Sequence, residues 1–156
     1  MFRIGQGYDI HKLAKGKDLI LCGEKIPHSK GLIGHSDADV AVHAIIDSLL
    51  GAACLRDIGF NFKDTDPLYK DINSLILLEK TLNLLKTNKF KPINLDLTII
   101  AQEPKLTPFY DKMQSNLQNI LKIDAINIKF KTNEQQDSLG NCFAIASLAI
   151  CLLKKI

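Results

Sequence analysis

Up to Pro27 the chain runs in short alternations of apolar and polar residues, and from Ser36 onward the apolar positions recur at helical spacing instead. Residues 2–11 (FRIGQGYDIH) and 18–27 (DLILCGEKIP) read as two strands separated by the polar LAKGK, with Pro27 closing the second. Gly5 and Gly7 weaken the first strand and point to a bulge or a close approach of backbone to a ligand. Between Ser36 and Ala53, Val40, Ala44, Ile45, Leu49 and Ala52 mark one face of a helix, with Ser36 or Asp37 as its N-cap. The segment 56–69 (RDIGFNFKDTDPLY) has no regular period and reads as a loop, of a length that in compact chains usually serves function or motion.

A second helix is expected over 73–88, a β-branched strand over 93–100, a third helix over about 107–121 and a strand over 125–131. The final run, FAIASLAICLL, is continuously apolar, so periodicity alone does not separate strand from helix; it is read as a strand. The resulting fold class is α/β of the α+β type, a mixed β-sheet covered by helices on one face, in a single domain over 1–156. An apolar terminal strand needs cover on both faces, and helices on one side leave the other bare. An oligomer built by packing sheets together is therefore expected.

Composition narrows the function classes. With 46% hydrophobic and 24% charged residues, the chain is that of a folded globular protein. Its net charge of +3 comes from scattered lysines, which read as a solvated surface and not as a nucleic-acid patch. No apolar run approaches the roughly 18 residues that span a bilayer, and Met1 leads straight into a strand-like stretch, so a cytoplasmic, reduced protein with no membrane partner is expected. Cys22, Cys54, Cys142 and Cys151 form no C-x-x-C pair; Cys54 and Cys151 lie in apolar runs, where a thiol acts as a small hydrophobe.

The four histidines are His11, His28, His35 and His43. Asp9 and His11 lie two apart on a strand and leave the same face, which makes them half of a metal site. His43, one turn into the first helix, supplies a third ligand, as a catalytic zinc with one open position requires. Asp39 or Asp47, four residues before and after His43, would receive its other ring N–H. Spacing alone equally allows a strand aspartate beside a surface histidine, and a helical histidine in ordinary ion pairs. His35 and Ser36 stand at the helix start, where an anion is favoured, although Ser36 and Asp37 also serve as plain caps. Asp57, Asp64 and Asp66 offer carboxylates in the long loop, though such residues commonly just face water. AQEPK (101–105) and KTNE (131–134) follow strands, and strand ends often carry ligands.

Taken in order, GYDIH (7–11), GHSDADVAVHAIIDSLLGAA (34–53), DIG (57–59), FKDTDP (62–67), LTIIAQEPK (97–105) and K-x-x-T-x-E (129–134) resemble the 2-C-methyl-D-erythritol 2,4-cyclodiphosphate synthase family. The resemblance implies cyclisation of a cytidine diphosphate derivative of methylerythritol 2-phosphate, with loss of CMP, in the non-mevalonate route to isoprenoid precursors. It implies zinc, or a similar divalent cation, on Asp9, His11 and His43, with a substrate phosphate oxygen as fourth ligand. It makes His35 and Thr132 the residues that position phosphates and steady the transition state, and Glu134 the ligand of a second ion, magnesium or manganese.

The substrate contacts it implies begin with Asp9, His11, His35 and Ser36. Asp57, Ile58 and Gly59, with Phe62, Lys63, Asp64, Thr65 and Asp66, would hold ribose and methylerythritol. Ala101, Gln102, Glu103, Pro104, Lys105, Leu106 and Thr107, with Lys131, would frame the cytidine, beside Thr132, Asn133 and Glu134. It also implies a homotrimer with active sites between subunits. One departure stands out: after the Thr and Glu the chain reads QQDSLGNCFAIA, with Asn141 and Phe143 where the family usually has Arg and Glu. Two other readings fit the residues: a phosphohydrolase or nucleotidase that activates water at the same ion, and a trimeric small-molecule-binding protein without turnover.

Overall fold

The computed structural model describes all of residues 1–156. Strand β1 (Phe2–Lys15) pairs antiparallel with β7 (Ala144–Lys155) along almost its whole length, from Phe2 opposite Lys154 to Lys12 opposite Ala144. On the other side of β7 lies β5 (Phe90–Ile100), also antiparallel, and β5 pairs in parallel with β6 (Ile126–Lys131). With the short β4 (Lys30–Leu32) outside β1, the mixed sheet has the order β4-β1-β7-β5-β6. The terminal apolar run is thus the central strand. Helix α1 (Val40–Ala52) packs on β1 and β7, α3 (Ser74–Thr87) on α1 and β5, and α4 (Tyr110–Leu121) on β6 and α3. Helices therefore cover one face, as expected.

Helix α1 lies between the sheet and α3 and is buried everywhere except Asp47 and Gly51. A helix apolar on all sides must be interior, and this one is. Its seat on β1 is made by Gly5 and Gly7. A Cβ at Gly5 would stand 1.9 Å from the carbonyl oxygen of Ser48, and one at Gly7 would stand 2.0 Å from that of Ala44. The glycines admit the backbone of α1 and not, as their position in the strand led us to expect, a bulge or a ligand.

The expected strand 18–27 is instead a hairpin of β2 (Leu19–Leu21) and β3 (Glu24–Ile26). Its two-residue turn, Cys22–Gly23, has positive φ at both positions, the requirement of a type I′ turn. Cysteine is an unusual occupant of that conformation, so the sequence hides the turn. Asp39 holds it: the carboxylate accepts N–H bonds from Cys22 (3.0 Å), Gly23 (2.7 Å) and, as the N-cap of α1, Val42 (3.1 Å). The helix therefore starts two or three residues later than a Ser36 or Asp37 cap implies. The segment 56–69, read as featureless, contains α2 (Ile58–Asn61), capped by Asp57, and a 3-10 turn (Pro67–Tyr69), capped by Asp66. Short helix α5 (Asp137–Gly140) follows β6. Cys54, placed in an apolar run, is exposed because it lies just past the end of α1.

Candidate metal centre and nucleotide cleft

Positions 5, 7, 9 and 11 of β1 face α1, and beyond the two glycines the strand presents Asp9 and His11 beside the first turn of the helix, where His43 sits. Asp9 Oδ2 lies 2.9 Å from His11 Nε2 and 3.0 Å from His43 Nδ1, and the two ring nitrogens are 3.1 Å apart. Three donor atoms thus form a nearly equilateral triangle. Ligands of a tetrahedral ion at 2.0–2.1 Å stand about 3.3 Å from one another, so a divalent cation fits this set with little adjustment and keeps one position open. The nitrogens also face each other and a single carboxylate oxygen, an arrangement that one cation satisfies better than shared protons do.

Burial acts to raise the Asp9 pKa, but hydrogen bonds and charge from His11 and His43 bring it well below the usual carboxylate range. Burial disfavours charging His43, yet Asp9, with Asp39 and Asp37 behind it, lifts the imidazole above the ordinary histidine value of 6.5. Protons therefore compete with a metal at Nδ1. Two opposite pH trends are expected. Metal affinity should rise with pH through 6.5 until His43 has lost its proton. Metal-free protein holds that proton more tightly folded than unfolded, so the contribution of His43 to its stability is complete below 6.5 and is lost as pH rises through the elevated value. Chelator competition and thermal melts over the same pH series check both, and parallel trends would contradict the assignment of Nδ1 as ligand.

Neither Asp39 nor Asp47 takes the second ring nitrogen of His43. Asp39 is committed to the hairpin turn, and Asp47 accepts the N–H of Ile58 at 2.7 Å, tying α1 to α2. Instead Nε2 lies 3.0 Å from the hydroxyls of both Ser36 and Ser74. Ser74, the first residue of α3, lies 31 positions along the chain from His43, and no local spacing singles it out.

Around the triad, a cavity of about 170 Å³ is lined by His35, Ser36, Ile58, Gly59, Phe62 and Asp64, all expected, and by Tyr69 and Leu77, which were not. Phe62 meets Tyr69 edge-to-face at 5.6 Å, closing its wall. The Nε2 atom of His35 is buried without a partner, as a donor or acceptor reserved for a ligand would be. Asp57 and Asp66 are spent on capping, while Lys63 and Thr65 are exposed.

A separate cleft of about 700 Å³ follows the ends of β5 and β6, lined by Ala101 to Thr107, Lys131 and Thr132, together with His28 and Phe130, which the sequence did not single out. Asn133 and Glu134 lie just past it; Thr132 Oγ1 donates to Glu134 Oε1 at 2.7 Å, and Asn133 binds Asp137 at 2.8 Å. Ile10 on β1 and Ile100 on β5 are both level with Ala146, so cavity and cleft open at the same end of the sheet. They share no residue.

The sequence pattern of the YgbB family matches residues 2–154. A 2-C-methyl-D-erythritol 2,4-cyclodiphosphate synthase of Clostridium perfringens is 54% identical over 98% of this chain and 99% of its own. Among solved structures, the bifunctional IspDF of Campylobacter jejuni matches with a TM-score of 0.95 at 37% identity; the match covers all of this chain and 43% of that longer one. A CDP complex of IspF from Plasmodium falciparum matches with a TM-score of 0.86 at 36% identity, over 99% of this chain and 96% of that one.

Proposed function

The chain belongs to the YgbB family, the 2-C-methyl-D-erythritol 2,4-cyclodiphosphate synthases, and from that premise we propose the reaction its residues serve. The enzyme converts 4-diphosphocytidyl-2-C-methyl-D-erythritol 2-phosphate to 2-C-methyl-D-erythritol 2,4-cyclodiphosphate and CMP, in non-mevalonate isoprenoid precursor synthesis. An oxygen of the 2-phosphate bonds to the β-phosphorus, the bond from that phosphorus to the oxygen bridging the α-phosphorus breaks, and CMP departs with that oxygen. This makes the enzyme a phosphorus–oxygen lyase, with the cytoplasm its proposed compartment. The observation that carries the reading is the Asp9–His11–His43 triangle, its donors 2.9–3.1 Å apart, in a cavity that holds the unpartnered His35 nitrogen.

Two anionic phosphates must meet, so catalysis here is neutralisation and alignment, and no protein nucleophile is required. A divalent cation on Asp9, His11 and His43, zinc in this reading, and a magnesium or manganese ion on Glu134 would supply the positive charge and Lewis acidity. His35 directs its free nitrogen to a phosphate, and Ser36 adds a hydroxyl donor. Thr132 orients the diphosphate, with its hydroxyl already tied to Glu134. Residues 57–59 and 62–66 hold the ribose and methylerythritol, and 101–107 with Lys131 frame the cytidine.

The metal cavity and the cleft open at the same sheet end without sharing a residue, which supports a site completed between neighbouring copies. The sheet face turned away from the helices supports it too. It exposes Phe2, Ile4, Tyr8, Ile10 and Ile150, with Ile4 75% and Phe2 60% exposed, an apolar surface of the kind that assembly covers. The proposed unit, residues 1–156 as one domain, is a homotrimer. Light scattering should give three times the chain mass, and mass spectrometry of the cytidine substrate after incubation should show the cyclic diphosphate with CMP. A monomer would overturn the shared site. A linear polyol phosphate with inorganic phosphate would mean hydrolysis, and nucleotide binding without CMP release would mean a binding protein.

A further inference from the structure

The second nitrogen of His43 faces a hydrogen-bond chain whose direction is fixed by its far end. Asp37 binds Ser74 twice: one carboxylate oxygen accepts the backbone N–H of Ser74 at 3.0 Å, and the other accepts its hydroxyl proton in a short bond. A carboxylate only accepts, so the Ser74 hydroxyl has already given its one proton to Asp37. Toward His43 Nε2, 3.0 Å away, Ser74 can then act only as acceptor. Nε2 must carry the hydrogen, and Nδ1, which faces Asp9 and His11, is left with a lone pair. Ser74 is fully buried and His43 nearly so, so water offers no alternative partner.

We infer that Ser74, oriented by Asp37, is a positioning residue that fixes the His43 tautomer and so sets the metal affinity of the site. The inference rests on the reading that Asp9, His11 and His43 hold a divalent cation. Ser36 shows what the chain prevents. Its hydroxyl also lies 3.0 Å from Nε2 and accepts the N–H of Ala38 at 3.2 Å, and with the Ser74 proton held by Asp37, its own proton goes to the Ser74 oxygen, 3.4 Å away. Without Ser74, that proton can go to Nε2, and the ring hydrogen moves to Nδ1, where Asp9 Oδ2 accepts it at 3.0 Å. That tautomer blocks the ligand atom. With Ser74 in place, its oxygen draws the Ser36 proton and keeps it away from Nε2.

The test compares wild type, Ser74→Ala and Ser74→Thr by zinc competition against a chromophoric chelator, and by nitrogen-15 NMR of His43 in metal-free protein above its titration. Ser74→Ala should bind zinc about 10- to 100-fold more weakly, the usual cost of losing such an outer partner. Its neutral ring should carry the proton on Nδ1, against Nε2 in wild type. Ser74→Thr, which keeps the hydroxyl, should restore both. Ser74→Ala with wild-type affinity, or with weaker binding but an unmoved tautomer, overturns the inference and leaves the metal reading standing. A wild type that takes up no zinc overturns both.

Discussion

His43→Ala is expected to release the bound ion and to lower CMP formation by about a thousandfold or more, because a cation that stabilises phosphoryl charge contributes several kcal/mol to the transition state. The triangle shrinks to Asp9 and His11, and two donors on one strand do not enclose an ion. The fold should survive. His43 stands in the first turn of α1, whose cap is Asp39 and whose other neighbours are the buried aliphatic residues of the core. What the substitution leaves behind is a small void bounded by the Ser36 and Ser74 hydroxyls, which can bond to each other across their present 3.4 Å. Metal analysis of the purified variant, beside circular dichroism and light scattering, separates loss of ion from loss of structure. A full zinc complement with wild-type turnover would remove His43 from the ligand set.

What the sequence revealed of this site and what it concealed divide along one physical line. Asp9 and His11 were legible because a strand's period of two puts both on one face, and His43 because it sits in a clearly helical run. Features that depend on residues meeting across elements were not. The glycines of β1 looked like a sign of ligand approach, since their real neighbour, the carbonyls of Ala44 and Ser48, is 37 and 43 residues away. Asp39 and Asp47 had the right helical spacing to support His43, yet each was claimed by a backbone N–H from another element, Cys22 and Gly23 in one case and Ile58 in the other. Ser74 and Asp37 took the place those two were expected to fill. The hairpin turn at Cys22–Gly23 escaped notice because cysteine stands in the first of its two positive-φ positions, and the Asp39 carboxylate, from another element, helps to hold it.

The same contrast makes Gly7 the most informative residue to change outside the ligand set. Gly7→Ala puts a methyl carbon where the Ala44 carbonyl oxygen stands 2.0 Å away and the Ser48 nitrogen 2.8 Å away, and both of these are helix backbone. No rotamer relieves such a contact. The helix must lift from the strand, and His43, which adjoins Ala44, must move with it relative to Asp9 and His11. Overpacking of this kind costs about 3 kcal/mol, which for a chain of this size lowers the melting temperature by roughly 6–12 °C. Metal affinity should fall in parallel, since donors now 2.9–3.1 Å apart would no longer share one ion. Gly16→Ala is the control. Gly16 has a φ of +74° but nothing within 4 Å of its Cβ position, so alanine there meets only backbone strain of about 1–2 kcal/mol. It should melt a few degrees lower and bind zinc as wild type does. A Gly7→Ala protein that keeps both its melting temperature and its zinc would mean that the seat of α1 on β1 does not set the geometry of the metal centre.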